Sequence, residues 1–377
     1  MILKTAMTSR ATTVACFWAM SAACTAANTS SGASAGPVAG PTPVNLTLTA
    51  VQGLRVGHFT LAERPTGCTV ILAKEGNIAS VDVRGAAPGT RETDILSPVN
   101  ESRTVDAIVL SGGSAYGLDA ASGVEKWLGE HGVGHSDGPT LGVPVVSSAV
   151  LIDLWFGGSP KVRPGADCGY RAADAASEAP VQEGNVGAGA GATVGKFLGL
   201  GGGRGGPMKA GIGSSAIKRT DGLVVAAIVA VNALGDIVDP MSGRIVAGVR
   251  GADGRLADAR GLLRAGRTAA GRAGDNTTIG VVATNARLTK VQMQKVAQMA
   301  HDGYARAISP VHTLADGDTI FSLATGAWSG QVSDSAVGAL AADVMADAIV
   351  RAAVQASSSH GLPSARQLDT VPRRFKQ

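Results

Sequence analysis

The sequence predicts an α+β chain of layered sheets and helices, and three observations carry that expectation. Aromatic residues make up only 3% of the 377 residues while glycine numbers 52, so the core must rest on Ala, Val, Ile and Leu with backbones approaching closely. Extended and helical signals alternate from about residue 50 onward, without the strict period of a βαβ chain. No internal repeat marks a solenoid or a propeller. At 45% hydrophobic and 16% charged, a chain of this length can bury a sizeable core, as one large domain or two.

The first 27 residues have the layout of an export signal. Lys4 and Arg10 give a positive start, residues 11–20 an apolar stretch, and residues 21–27 a small-residue exit. The apolar stretch is too short to span a bilayer. Ser21, Ala22, Ala23 and Cys24 resemble a bacterial lipoprotein box without its usual Leu, so plain cleavage and a lipid tether on Cys24 are both open. A periplasmic or envelope-anchored bacterial protein is expected. Residues 28–49, rich in Ser, Gly, Ala and Pro as far as Pro43, are expected to be a flexible linker. Residues 50–377 are then the folded domain.

Residues 68–73, 79–83 and 106–110 are apolar runs bounded by Gly, Pro and charged turns, and are expected as strands. Residues 118–130 place Leu118, Ala121, Val124, Trp127 and Leu128 on one helical stripe. A short strand over 143–146 and an alanine-rich helix over 170–178 follow. Residues 210–217 and 223–232 predict two long strands, the second apolar enough to be buried on both faces. Residues 241–276 turn polar and glycine-rich, as an exposed loop that tolerates cleavage would. Beyond them come a strand opening at Thr277, a helix over 289–308 with Val291, Val296, Met299 or Ala300 and Ile308 facing inward, a turn and strand over 312–321, and a last helix over 333–355.

A net charge of +4 arises from 33 basic and 29 acidic residues spread along the chain. There is no basic run interleaved with aromatics, so no nucleic-acid partner is expected. Cys16 and Cys24 fall in the leader, leaving Cys68 and Cys168 for the domain. They fit neither a metal site nor a redox motif, and are expected as small core residues, with pairing open in an oxidising compartment. His58, His301 and His312 show no metal-ligand spacing and are expected as core or surface residues. Neither a metal nor an organic cofactor is expected.

Four motifs can carry chemistry, and each also has a plain structural reading. The glycines of 184–195 do not run from a clear strand into a clear helix, so they fit close backbone passage or a cleft wall better than a nucleotide loop. Residues 111–117 (SGGSAYG) can offer backbone N–H groups at a helix start, or simply begin the helix. Asp316 and Asp318 stand two apart; they can hold an ammonium group or lie solvated in a turn. Asn276, Thr277 and Thr278 open an apolar strand. A hydroxyl freed there as a new N-terminus carries its own base, because an α-amine titrates near pH 8. In an uncut chain it is an ordinary strand start.

In combination these segments resemble one family. Residues 56–58 (VGH), 67–71 (GCTVI), 82–94 (DVRGAAPGTRETD), 110–120 (LSGGSAYGLDA), 184–189 (GNVGAG), 276–284 (NTTIGVVAT) and 316–321 (DGDTIF) are similar to the DmpA-type aminopeptidases. That family includes β-peptidyl aminopeptidases, L-aminopeptidase/D-amide or D-ester hydrolases, a pantetheine amide hydrolase and the nylon-oligomer hydrolases. The resemblance implies an αββα sandwich and a precursor that cuts itself before a Ser or Thr, which becomes the nucleophile. Position by position, the cut falls between Asn276 and Thr277, giving an α-chain of 50–276 and a β-chain of 277–377. Thr278 is the rival nucleophile, but the spacing to Ala283 and Thr284 favours Thr277. Asn232, in 229–235 (VAVNALG), resembles the oxyanion-binding amide. Asp316 and Asp318 resemble the acidic pair that orients the new amine, and Lys196 resembles a site lysine of the same Thr-type branch. Where relatives often carry Tyr-Asp, this chain has Ile152-Asp153, so a phenol near the nucleophile is missing. The resemblance implies an N-terminal-nucleophile aminopeptidase acting on short peptides, amides or esters, assembled as a homo-oligomer of αβ units. Alternatives are an oligoamide or pantetheine-like amidase, an acyltransferase like ornithine acetyltransferase, and a non-catalytic envelope lipoprotein.

Overall fold

The computed structural model describes residues 45–102, 104–134, 142–200, 205–270 and 275–376. The export signal, Cys24 and most of the linker lie outside the described residues, as do positions 201–204 and 271–274. All that is described belongs to a unit spanning Val44–Gln377. Its body starts before residue 50. Leu48–Ala50 form a 3-10 turn in which Leu48 is fully buried and donates its N–H to Ser214 Oγ at 2.8 Å, so the end of the expected linker is anchored.

In chain order come β1 (Leu54–Thr60), β2 (Gly67–Ala73), β3 (Ile78–Val83), β4 (Thr90–Arg91), β5 (Ala107–Ser111), helix α1 (Ala120–Glu130), β6 (Val146–Val150) and helix α2 (Ala166–Asp174). Then follow β7 (Thr193–Val194), β8 (Met208–Lys209), β9 (Ile212–Lys218), β10 (Val224–Asn232), β11 (Asp236–Val238), β12 (Ile245–Ala247) and helix α3 (Ala259–Arg264). The last stretch holds β13 (Thr277–Thr284), helix α4 (Lys290–Ala307), β14 (Ile308–Ser309), β15 (Thr319–Ala324) and helix α5 (Asp334–Gln355).

Two five-stranded sheets form the centre, ordered β1-β2-β5-β6-β4 and β3-β15-β13-β10-β9. Strand alternation sends successive side chains to opposite faces. On β10, Val225, Ala227, Val229 and Val231 pack toward α4 and α5, whereas Ala226, Ile228 and Ala230 meet Ile71, Ile108 and Leu110 between the sheets. On the other side, Val70, Leu72, Ala107 and Val109 pack against α1 and α2 through Val124, Leu128 and Ala172. Helices, sheet, sheet, helices: the αββα sandwich is present, and small residues let its layers close. A Cβ on Gly303 of α4 would stand 2.4 Å from the Ala342 carbonyl of α5. Helix α4 begins at a full capping box, with Thr289 and Gln292 bonded reciprocally.

Several expectations are corrected. Residues 241–276 are not one exposed loop, because β12 and α3 lie there with Val246, Ala247, Val249 and Ala259 buried; their apolar residues are too few and scattered to outweigh the glycines by eye. Val291 is 64% exposed rather than inward, one step off the stripe set by Met293, Val296 and Ala300. The alanine-rich helix starts at Ala166, and the strand expected at 143–146 runs over Val146–Val150. Cys68 and Cys168 are not separate core residues. Helix α2 lies on β2 and brings their Cα atoms to 6.2 Å, and they form a disulfide across 100 residues.

Candidate active site

β10 and β13 run antiparallel with Asn232 opposite Thr277. Thr277 shares the parity of Ile279 and Val281, and Asn232 that of Ile228 and Ala230, all between the sheets. Period two therefore turns both side chains toward the same inter-sheet end. β15 pairs with β13 in parallel from Ile279↔Thr319, and an isolated bridge between Asn276 and Asp316 extends that contact backward. One sheet end thus gathers Asn232, Asn276, Thr277, Asp316 and Asp318.

The Asn232 amide is held from three sides. Its Oδ1 accepts from Lys196 Nζ at 2.8 Å, Thr193 N at 3.1 Å and Thr193 Oγ1 at 3.2 Å, and its Nδ2 donates to the Ile152 carbonyl at 2.9 Å. Lys196 also donates to the Asn232 carbonyl at 3.0 Å and to the Asp275 carbonyl at 3.4 Å. Burial lowers the Lys196 ammonium to about 7, against the pull of Asp316 and other carboxylates. Asp316 is raised by burial first and by the neighbouring Asp318 second. Its Oδ2 accepts from Thr313 N at 2.8 Å and Thr313 Oγ1 at 2.6 Å. Asp318 Oδ1 accepts the Thr278 N–H at 2.7 Å, and its Oδ2 faces His312 Nδ1 at 2.8 Å.

The Asn276–Thr277 bond itself is gripped. The Thr277 hydroxyl donates to the Asn276 carbonyl, which also accepts from Gly317 N–H at 3.0 Å. A Cβ at Gly317 would lie 2.8 Å from Thr277 Oγ1 and 2.6 Å from the Ala87 carbonyl, so only glycine lets the loop approach this closely. Asn276 is fully buried and Thr277 is 3% exposed. The hydroxyl is shut away from bulk solvent.

All five residues singled out by the sequence, Lys196, Asn232, Thr277, Asp316 and Asp318, therefore meet at this end. Thr278 points the other way: its side chain has the parity of Val282, on the helix-facing side. Ile152 contributes through its carbonyl, not its side chain. Asp153 behind it is completely buried, bonded by Arg64 Nη2 at 2.6 Å, Thr66 Oγ1 at 2.6 Å and Gly113 N at 3.0 Å. Residues 111–117 thus contribute an N–H group to Asp153. Sequence reasoning missed Gly317, the Ile152 carbonyl and His312. A His-Thr pair just ahead of the Asp-Gly-Asp run was the available signal for the last. His58 is elsewhere, bonded to Thr69 Oγ1 at 2.8 Å and lowered to about 4 by burial. Among the described residues no group of three or more His, Cys, Asp or Glu side chains could hold a metal ion.

The αββα layering is a fold that this chain shares with solved structures. The L-aminopeptidase D-Ala-esterase/amidase of Ochrobactrum anthropi, a prototype for the serine aminopeptidases and a variant among the Ntn-hydrolase folds, superposes with a TM-score of 0.64 at 19% identity, over 90% of this chain and 96% of its own. A Burkholderia sp. β-aminopeptidase does so with a TM-score of 0.63 at 23% identity, over 89% and 95%. Residues 47–366 match Peptidase family S58, and the chain belongs to that family. An uncharacterized aminopeptidase of Mycobacterium tuberculosis strain H37Rv is 40% identical over 351 residues, covering 85% of this chain and 97% of the relative. The 6-aminohexanoate-oligomer endohydrolase of Paenarthrobacter ureafaciens is 32% identical over 326 residues, covering 80% and 84%. The chain is a peptidase-family amide hydrolase.

Proposed function

We propose that this protein is a self-processing N-terminal-nucleophile aminopeptidase whose nucleophile is Thr277, freed by cleavage after Asn276. The observation that carries the reading is the Thr277 hydroxyl lying on the Asn276 carbonyl while Gly317 N–H holds the same oxygen from the other side. In the uncut chain the Thr277 nitrogen is an amide and cannot act as base; among the residues gathered at this end Lys196, whose ammonium burial lowers to about 7, is the amine that can give up a proton near neutral pH and so take the hydroxyl's. Oγ1 bonds to the Asn276 carbonyl carbon, negative charge develops on its oxygen beside Gly317 N–H, and the C–N bond breaks as the Thr277 nitrogen is protonated. Water hydrolyses the resulting ester, leaving an Asn276 carboxylate, a free hydroxyl and a free amine.

In turnover the Thr277 amine takes the hydroxyl proton and returns it to the leaving amine. The Asn232 amide binds the developing oxyanion, a role worth about 3–4 kcal/mol of barrier in comparable sites. Asp316 and Asp318 orient the amine, and Lys196 holds the Asn232 carbonyl side. Because Asn276 is buried against the nucleophile, substrate gains access only after the cut. Peptidase-family membership favours hydrolysis over acyl transfer.

The aminopeptidase name of the M. tuberculosis relative supports release of N-terminal residues from short peptides or amides. The endohydrolase name of the P. ureafaciens relative supports a second reading, internal cleavage of oligoamides. A free-amine aminoacyl p-nitroanilide and its N-acetylated form separate them: the aminopeptidase cleaves only the first, and comparable cleavage of both establishes the endo-acting enzyme. Thr277→Ala is expected to stay uncut and inactive by intact mass and by either substrate.

The leader and the Cys68–Cys168 disulfide together support export to an oxidising compartment. The resemblance supports assembly of the αβ units into a homo-oligomer.

A further inference from the structure

A histidine that this scheme does not use stands directly behind the acidic pair. His312 offers Nδ1 to Asp318 Oδ2 at 2.8 Å, and its backbone N–H donates to the same oxygen at 3.2 Å. The other oxygen of that carboxylate takes the N–H of Thr278, the neighbour of the nucleophile. An ionised carboxylate is an acceptor only, so toward that form the ring nitrogen facing it must carry the hydrogen. His312 sits at φ 53°, in the left-handed region that His, Asn and Asp enter more readily than other non-glycine residues. The next residue, Thr313, clamps Asp316, so one turn fixes both carboxylates.

Other elements face the same ring. Helix α4 sets His301 with its ring centroid 4.8 Å away and Tyr304 at 5.9 Å. From β3, Asp82 approaches His301 Nε2 at 3.5 Å. Burial lowers His301 to about 4, so it is neutral near pH 7 and brings no positive charge to Asp318. His312 keeps 20% of its side chain exposed while Asp318 keeps 1%. Among the described residues the His312 Nε2 is buried with no hydrogen-bond partner, so the ring's hydrogen bonding is directed at Asp318 through Nδ1.

Resting on the Thr277 reading above, we propose that His312 is a positioning residue whose Nδ1–H aims Asp318 at the head of the β-chain and offsets its charge, keeping the freed Thr277 amine able to accept a proton at neutral pH. Without that donor, Asp318 holds an ammonium form of the amine more strongly, and a higher pH is needed to deprotonate it. The acid limb of kcat then moves upward.

The test compares full-length wild type, H312F and H312N by intact mass and by kcat and KM across pH. H312F is expected to lose about ten- to a hundredfold in kcat, the range for a lost hydrogen bond to a charged group, with its acid limb at higher pH. H312N keeps a donor and tolerates the left-handed backbone, so it is expected to restore most of the rate and the limb. Should H312F not fold, H312A against H312N gives the same comparison. An unchanged limb in the donor-less variant, or equal losses in both variants with no movement of the limb, overturns the proposal and leaves His312 a packing residue. Failure of the underlying reading shows separately, as a wild-type chain that is active yet uncut.

Discussion

Asn232 and Thr277 face each other across one antiparallel pair, yet the groups that hold their oxygens differ, and two predictions follow at this scale. The Asn276 carbonyl rests on Gly317 N–H, while Asn232 is held by Thr193 and Lys196 at Oδ1 and spends one of its two Nδ2 hydrogens on the Ile152 carbonyl, which leaves it a second donor. Asn232→Ala should therefore lower kcat on an aminoacyl p-nitroanilide about 100- to 1,000-fold, the loss expected for an oxyanion donor; a loss under about threefold would remove Asn232 from that role. The second concerns pH. Burial brings Lys196 to about 7, so its neutral, proton-accepting form is scarce below that pH and dominant above it. Self-cleavage of freshly refolded chain should speed up as pH rises through about 7 and then level off, as read by intact mass against time. A rate flat from pH 6 to 8 would remove Lys196 as the base.

Among the elements, the disulfide between β2 and α2 carries a stability prediction. It closes a loop of 100 residues, and loss of a native disulfide of this kind costs about 2–5 kcal/mol. Reductant, or Cys168→Ala, should lower the thermal midpoint by several degrees, while a midpoint unmoved by either would show the link contributes nothing. This pairing was not legible in the sequence, since two cysteines 100 residues apart carry no spacing code and only the seating of α2 on β2 joins them. The main sheet strands were legible because their apolar runs are unbroken: β10 is buried at every position. The segment over 241–276 was not, because the short β12 and α3 are fixed by tertiary contact. Within the site, Lys196, Asn232, Thr277, Asp316 and Asp318 could be read from motifs, but Gly317 and the Ile152 carbonyl act through backbone atoms, which residue types do not advertise. His312 was hidden for a related reason, as its partner is set by the fold of the turn.

At the scale of the whole molecule, the sandwich keeps the Asn276–Thr277 bond at the inter-sheet end of its second sheet, buried and bonded on both sides. On the proposed scheme this burial keeps Thr277 from substrate until the chain is cut, and the cut supplies the amine that turnover requires. Maturation and hydrolysis then depend on one hydroxyl. The most direct test is N-terminal sequencing combined with intact mass on a purified, active preparation. A chain of residues 277–377 beginning Thr-Thr-Ile-Gly, present in equal amount with a partner ending at Asn276, is the predicted result. Full activity in a preparation that contains no chain starting at Thr277 would contradict it.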